Sequence, residues 1–480
     1  FKQALRTRCQ KKGVVRMGLR FLKRHSILAG AALLLCAVLA TVLLGGGEEE
    51  TSVVLQSSAV EESSVSMVSS SASTQETLSS AMQQTASSEA SLASQGDSSA
   101  VAASVAVETQ EEMRGVWVPF MTLDRSKEQD QSEAAFREMF SEIVSGAKQY
   151  GMNALIVHVR PFGDALYRSD LVPWSHIVTG TQGKDPGYDP LAIMVEMAHE
   201  QGLELHAWMN PLRIQMNDTP SVLAENNPWN LWKDDPEKAG WVVQSGQGKY
   251  YNPAYPEVRA HIAACAEEIA SRYDVDGIQF DDYFYPTQDA PFDEAAYQAY
   301  VDEASQSGTA LSLQEWRAAN INALISEVYR RVKAVNPDAQ FGIAPQGNLQ
   351  NDWNMGADVA SWCKAKGFLD YICPQLYVNF ENPTLPFGTA AQTWKNLVRD
   401  PDIKLYFGLA VYKAGSDADD GTWKTADDIL ARQVSLGRTV ECDGFLFYSW
   451  DYLAAEQTKA EVENVMKVLN QESVSHEGDS

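Results

Sequence analysis

Along residues 112–471, short apolar runs alternate with longer stretches in which apolar residues recur every three or four positions. The first pattern predicts buried strands and the second amphipathic helices. Strands are predicted at 115–120, 154–159, 203–209, 277–281, 340–344, 371–376, 404–410 and 444–448. Helices are predicted at 132–150, 190–201, 257–273, 315–335 and 426–436. Asp189-Pro190 and Pro256-Glu257 carry helix-start signals, and Gly151 and Gly202 carry stop signals. Eight strand–helix units predict an α/β fold, a (β/α)8 TIM barrel with enlarged loops. A doubly wound open sheet is the alternative. It does not account for the polar and aromatic residues that end nearly every strand.

The first third has a different texture. Residues 27–44 form an uninterrupted run of 18 apolar or small residues. At about 1.5 Å per residue, that length crosses a bilayer. Residues 1–25 hold nine Lys and Arg and no acid. The positive-inside rule keeps such a segment in the cytoplasm. The expectation is a transmembrane anchor within 26–45, with the bulk of the chain on the extracytoplasmic face of a bacterial membrane. A cleaved signal sequence and a secreted protein are the alternative. Residues 46–110 are rich in Ser and contain no Lys, Arg, Pro or aromatic residue. Such a stretch buries too little apolar area to offset chain entropy, so a disordered linker is expected. As a coil it would span about 45 Å. The barrel is placed at 111–471, and 472–480 reads as a flexible tail.

Charge narrows the function. The chain carries 38 Lys and Arg against 64 Asp and Glu, a formal net charge of −26. That balance argues against a nucleic-acid partner, which rewards basic surfaces. The six Cys form no C-x-x-C pair and no zinc-like spacing with His. Cys265, Cys363, Cys373 and Cys442 read mostly as buried apolar positions. His158 and His206 fall on predicted strands without a third spaced ligand, so no metal is expected. No glycine-rich loop opens a helix as a phosphate cradle would, and no cofactor is expected.

The chemistry gathers at strand ends, where such barrels place their active sites. The second strand ends in His158-Val-Arg160-Pro-Phe-Gly-Asp164 and the third in His206-Ala-Trp208-Met-Asn210. The fourth ends in Phe280-Asp281-Asp282-Tyr283, the sixth in Pro374-Gln375-Leu-Tyr377, and the eighth in Tyr448-Ser-Trp450-Asp451. Aromatic faces stack on sugar rings, and amides and carboxylates bind hydroxyls. The set therefore points to a polysaccharide partner. Side chains alternate across a strand. If Asp281 faces the barrel axis, Asp282 faces away, so Asp281 is favoured for the chemistry and Asp282 for anchoring the loop. Glycoside hydrolysis usually needs a second carboxyl group. Asp164 and Asp451 are the main candidates. Tyr283 and Trp450 are read as substrate-binding aromatics.

Several stretches carry a family likeness: Met113-Arg-Gly-Val-Trp117, Val159-Arg160-Pro-Phe-Gly-Asp164, Leu205-His206-Ala-Trp208-Met-Asn210-Pro211-Leu-Arg213, Asp276-Gly277-Ile-Gln-Phe-Asp281-Asp282-Tyr283, Pro374-Gln375-Leu-Tyr377 and Gly444-Phe-Leu-Phe-Tyr448. Together they resemble the glycosyl-hydrolase-like-10 family. The resemblance covers roughly Met113 to Tyr452. It implies a TIM-barrel glycosidase facing the bacterial envelope. Some members cleave peptidoglycan glycan strands from which the stem peptides have been removed. Carried over by position, the implied catalytic and substrate-site residues are Arg160, Asp164, His206, Trp208, Asn210, Asp281, Asp282, Gln375 and Tyr377. The fourth strand also looks superficially like that of family-18 chitinases, Asp-Gly-x-Asp-x-Asp-x-Glu. Here Gln279 and Tyr283 replace the second Asp and the terminal Glu, so a chitinase is not expected. Attack by a substrate N-acetyl group, with Asp281 orienting the amide, stays open. The leading reading is a hydrolase of cell-wall glycan. An inactive glycan-binding barrel and a hydrolase of another extracellular polysaccharide are the alternatives.

Overall fold

The structure is a computed structural model that describes residues 112–306 and 308–471. The anchor, linker and tail expected at 26–45, 46–110 and 472–480 lie outside the described residues. Among the described residues, no helix is long and apolar enough to cross a membrane.

Within them, eight parallel strands close a barrel. In chain order these are β1 (Met113–Val118), β2 (Ala154–Arg160) and β3 (Glu204–Met209), then, after the insertion described below, β7 (Gly277–Phe280), β8 (Gln340–Ile343), β9 (Tyr371–Ile372), β10 (Lys404–Ala410) and β11 (Gly444–Tyr448). Each strand pairs with the next, and β11 closes on β1 with Met113 opposite Gly444. Helices Glu133–Gln149, Pro190–His199, Pro256–Arg272, Leu313–Val335, Phe387–Leu397 and Ile429–Thr439 alternate with the strands. Their starts follow the local chemistry. Ser132 accepts from the backbone of Ala135, Asp189 from Ala192, and Ser312 and Glu315 form a reciprocal capping box.

The core has two compartments. One lies between strands and helices, where Val116, Leu155, Val157, Leu205, Ile278 and Phe341 meet apolar helix faces. The other fills the barrel with Met113, Trp117, Ile156, Trp208, Ala344, Tyr371, Tyr406 and Leu446. The inward positions take bulky groups because others are glycine. A Cβ on Gly342 would stand 2.0 Å from the Tyr371 ring, and one on Gly277 would stand 2.4 Å from His206 Nδ1. Cys265, Cys363 and Cys373 are buried, Cys442 is half-buried, and all four are free thiols, as the sequence pattern suggested.

The segment after β3 is an inserted antiparallel sheet of β4 (Arg213–Met216), β5 (Val242–Ser245) and β6 (Gly248–Tyr251), in the order β4-β6-β5. Trp232 packs edge-on to Trp241 at 5.3 Å and to His261 at 5.0 Å, so this aromatic-rich segment has its own small core.

Candidate active site

Strand alternation places Trp208 and Asp281 on the inner face of the barrel near its C-terminal mouth. Trp208 Nε1 donates to Asp281 Oδ2 at 3.0 Å. Asn210 Nδ2 lies 3.3 and 3.2 Å from the two carboxylate oxygens. The backbone N–H of Tyr283 donates to Oδ1 at 3.3 Å. Asp281 is only 3% exposed. Burial pushes its carboxyl up to about 7, the neighbouring charge of Asp282 adds to the rise, and Arg213, Trp208 and the Tyr283 amide oppose it.

Asp282 also turns into the mouth, contrary to strict alternation. β7 ends at Phe280, and the chain turns through a Phe284 N–H to Asp282 carbonyl bond of 3.1 Å. Gln375 Nε2, on the far side of β8, donates to Asp282 Oδ1 at 2.9 Å and to the Ala344 carbonyl at 2.9 Å. Burial raises the Asp282 carboxyl, and hydrogen bonds from Gln375 and Gln346 oppose the rise. Two adjacent carboxyl groups thus share one cleft. Ionisation of one disfavours ionisation of the other, so near neutrality the pair holds a proton that can be given up and a charge that can accept one.

The walls suit a sugar chain. Tyr377, Tyr412 and Tyr448 pack with centroids 5.8–5.9 Å apart, and Trp117 lies 6.0 Å from Tyr448. Tyr283 is 49% exposed, and the Arg213 guanidinium stands 5.0 Å above its ring. Below the cleft, Trp117 Nε1 donates to Gln279 Oε1 at 2.6 Å, and Gln279 Nε2 donates to the Tyr371 hydroxyl at 3.2 Å. His158 stacks on Trp208 at 3.7 Å, and burial lowers its imidazole well below the usual range. Trp208 is thereby fixed between His158 and Asp281.

The other expected site residues lie elsewhere. His206 is two residues before Trp208 on the same face, so it sits a layer deeper. Its Nδ1 meets the Tyr371 hydroxyl at 3.0 Å, and its Nε2 meets Glu204 at the N-terminal end of β3 at 3.3 Å. It cannot line the mouth. A register shift between His158 and Arg160 turns Arg160 outward, where its guanidinium lies 5.5 Å over the Tyr251 ring. Asp164 is fully buried and accepts from Gln182 Nε2 at 2.9 Å, with His176 Nδ1 at 3.5 Å. Enclosed in this way, it ties loops together and is not positioned as an open proton donor. Trp450 fills the space over Gly146 of helix Glu133–Gln149, outside the barrel wall, and is not a cleft aromatic. Asp451 is exposed and accepts from the Thr122 hydroxyl at 2.5 Å. Arg213, Tyr412 and Tyr448 join the site without having been chosen from sequence. For Tyr448 the available signal was its place at the end of the eighth strand.

Arg160 still reaches the chemistry indirectly. Its Nη1 donates to the Asn210 carbonyl at 2.9 Å, and the Asn210 N–H donates back to the Arg160 carbonyl at 2.9 Å. The Arg213 N–H holds Asn210 Oδ1 at 2.9 Å, which turns Asn210 Nδ2 toward Asp281. Arg160→Met is expected to lower kcat about tenfold while KM changes little, because a positioning contact is lost and no substrate contact is. Steady-state kinetics on one glycan checks this, and a KM-only effect would contradict it.

The raised carboxyl also has a cost in stability. Unfolded, Asp281 ionises near its ordinary 3.8, but folded near about 7. Between these values the folded state binds the extra proton, so stability falls as pH rises through that window and levels off above it. Asp281→Asn is expected to raise stability by about 1–4 kcal/mol at pH 8, with the gain vanishing toward pH 4. Denaturation at the two pH values checks the sign.

The family model described as Glycosyl hydrolase-like 10 matches residues 112–425. The chain is 34% identical over 356 residues to Glycosyl hydrolase YngK of Bacillus subtilis (strain 168), covering 70% of this chain and 67% of that protein. It is 30% identical over 391 residues to Glycosyl hydrolase DigH of Escherichia coli (strain K12), covering 74% of this chain and 87% of that protein. Among solved structures, the PgaB (BpsB) glycoside hydrolase domain from Bordetella bronchiseptica shares the fold. The TM-score is 0.50 at 14% identity, covering 75% of this chain and 99% of that domain. With the family match spanning most of the barrel and an acid pair at its mouth, the chain belongs to the glycosyl hydrolase-like 10 family and is a glycoside hydrolase.

Proposed function

We propose that this hydrolase cleaves the glycan strands of peptide-free peptidoglycan on the extracytoplasmic side of a bacterial membrane. The observation that carries the glycosidase chemistry is the Asp281–Asp282 pair inside an aromatic- and amide-lined mouth. Asp281 keeps its proton to about 7 and serves as general acid to the leaving oxygen. Asp282 is the ionised partner that stabilises positive charge at the anomeric carbon or activates the attacking group. Activity therefore falls above neutrality as Asp281 ionises, and in acid as Asp282 is protonated. The substrate and the location are supported by the family resemblance and by the basic, apolar and Ser-rich sequence of residues 1–110.

The test is a panel of intact peptidoglycan, peptide-free peptidoglycan glycan and a neutral extracellular polysaccharide, each incubated with the full chain. Release of short fragments from the peptide-free glycan alone is expected. Cleavage of the neutral polysaccharide alone would assign another substrate. Binding of glycan without cleavage on any member of the panel would overturn the catalytic reading.

A further inference from the structure

A cation with an open hydrogen-bonding edge stands beside the acid pair. Arg213, the first residue of β4, donates its backbone N–H to Asn210 Oδ1 at 2.9 Å, and Asn210 in turn holds Asp281. Three contacts fix the guanidinium. Its Nε donates to the Pro161 carbonyl at 3.0 Å, and the group stands 5.2 Å over the Phe162 ring and 5.0 Å over the Tyr283 ring. Nη1 and Nη2 have no hydrogen-bond partner among the described residues. Arg213 is half-buried, its neighbour Tyr283 is exposed, and neither Nη is among the buried polar atoms that lack a partner. The free edge therefore meets solvent at the mouth.

A guanidinium offers its N–H groups as a planar fork that matches the two oxygens of a carboxylate, and aromatic contact orients the fork in advance. An arginine with a structural task uses that fork on its own chain, as Arg317 does on Asp293. Arg213 commits only Nε. Its charge opposes the rise of the Asp281 and Asp282 carboxyls, yet it forms an ion pair with neither. The fork is thus available to an anionic group on a sugar held over the acid pair. Charge balance points the same way. The chain carries a net −26, so an anionic glycan is repelled unless a local cation meets it. A neutral glycan needs no such group, because an amide serves its hydroxyls as well.

We propose that Arg213 is a specificity residue that binds a free carboxylate on the sugar, the lactyl carboxylate of a peptidoglycan strand whose stem peptide has been removed. In an intact strand that carboxyl is an amide, with one oxygen, no charge and a peptide where the fork would close. Arg213 thereby selects stripped strands. The inference rests on the substrate reading given above and adds the group that recognises the substrate.

The experiment compares two forms of one glycan. Peptide-free peptidoglycan strands are used as they are, or after their lactyl carboxylates have been coupled to methylamine, which removes the charge at constant length and linkage. With the full wild-type chain, kcat/KM is expected to be about 10–100-fold higher on the free acid, the contribution of a hydrogen-bonded ion pair. In Arg213→Met the ratio is expected to fall to near one. In Arg213→Lys, which keeps the charge and loses the fork, it should lie between. The ratio is read within each variant, so a general loss of activity does not imitate the result. An undiminished ratio in Arg213→Met, with lower rates on both forms, would mark a purely structural arginine and overturn the inference. A polyuronate, whose carboxylate sits on the ring itself, is a third arm. Its cleavage with the same dependence on Arg213, beside uncut peptidoglycan glycan, would overturn the lactyl assignment in favour of a uronic acid. Calorimetric binding of both glycan forms to the Asp281→Asn chain separates this claim from the hydrolase reading. Tighter binding of the free acid without wild-type turnover would keep the carboxylate site and sink the hydrolase. Equal wild-type turnover of the two forms would do the reverse.

Discussion

Asp281→Asn is expected to lower kcat/KM on a natural glycan about a thousandfold. The loss is that of a general acid, which typically contributes about 10²–10⁴-fold. An Asn keeps the shape, and its single oxygen in the place of Oδ2 can still accept from Trp208 and Asn210, but its amide has no acidic proton to give to the leaving oxygen. The loss should shrink to about tenfold on an aryl glycoside whose leaving group departs without protonation. Asp282→Asn should be slow on both substrates, because it removes the charge that supports the anomeric carbon. Kinetics of both variants on both substrates checks the assignment. Equal losses for Asp281→Asn on the two substrates would remove it from the acid role. Because the same variant is expected to gain stability at pH 8, a loss of activity through unfolding can be distinguished from a loss of chemistry.

Arg317→Met is expected to be the most destabilising of these changes, by about 3–5 kcal/mol. Its partner Asp293 is 4% exposed and accepts three of its hydrogen bonds. Removing the cation alone leaves that carboxylate buried and uncompensated. Asp293→Asn in the same chain should recover much of the loss, since the stranded charge disappears with its partner. Denaturant unfolding of the two single variants and the double variant measures the coupling. Additive losses would show that the two side chains act independently.

Much of the barrel was legible from hydrophobic periodicity. The predicted strands at 404–410 and 444–448 coincide with β10 and β11. The sixth predicted strand was too long, running to 376 where β9 ends at Ile372. Pro374 has no N–H for the ladder, and only isolated bridges through Gln375 continue it. The last predicted helix began three residues early. The Glu461 carboxylate, from a distant helix, accepts from the N–H groups of Ile429 and Leu430, a tertiary cap that no local pattern contains.

The site was legible where simple alternation holds. Trp208, Asn210 and Asp281 come together because positions two apart share a face. It was not legible where that rule breaks. The shift in β2 sends Arg160 out of the barrel, because a one-residue slip reverses facing. The turn after Phe280 brings Asp282 in. Arg213 could be read as charged, but its stacking on Tyr283 depends on how the inserted sheet folds back. Asp352 was also missed. It is 1% exposed, accepts from the Gln346 N–H at 2.8 Å, and is pushed well above the usual carboxylate range by burial. Helical sequence around it gives no hint of that burial.

The central claim is that this acid pair hydrolyses a glycan. It is tested most directly by digesting peptide-free peptidoglycan glycan in ¹⁸O-labelled water and weighing the products by mass spectrometry. One labelled oxygen at each new reducing end, absent with Asp281→Asn, is the expected result. Unlabelled products ending in an anhydro sugar, or intact glycan bound to an inert protein, would contradict it.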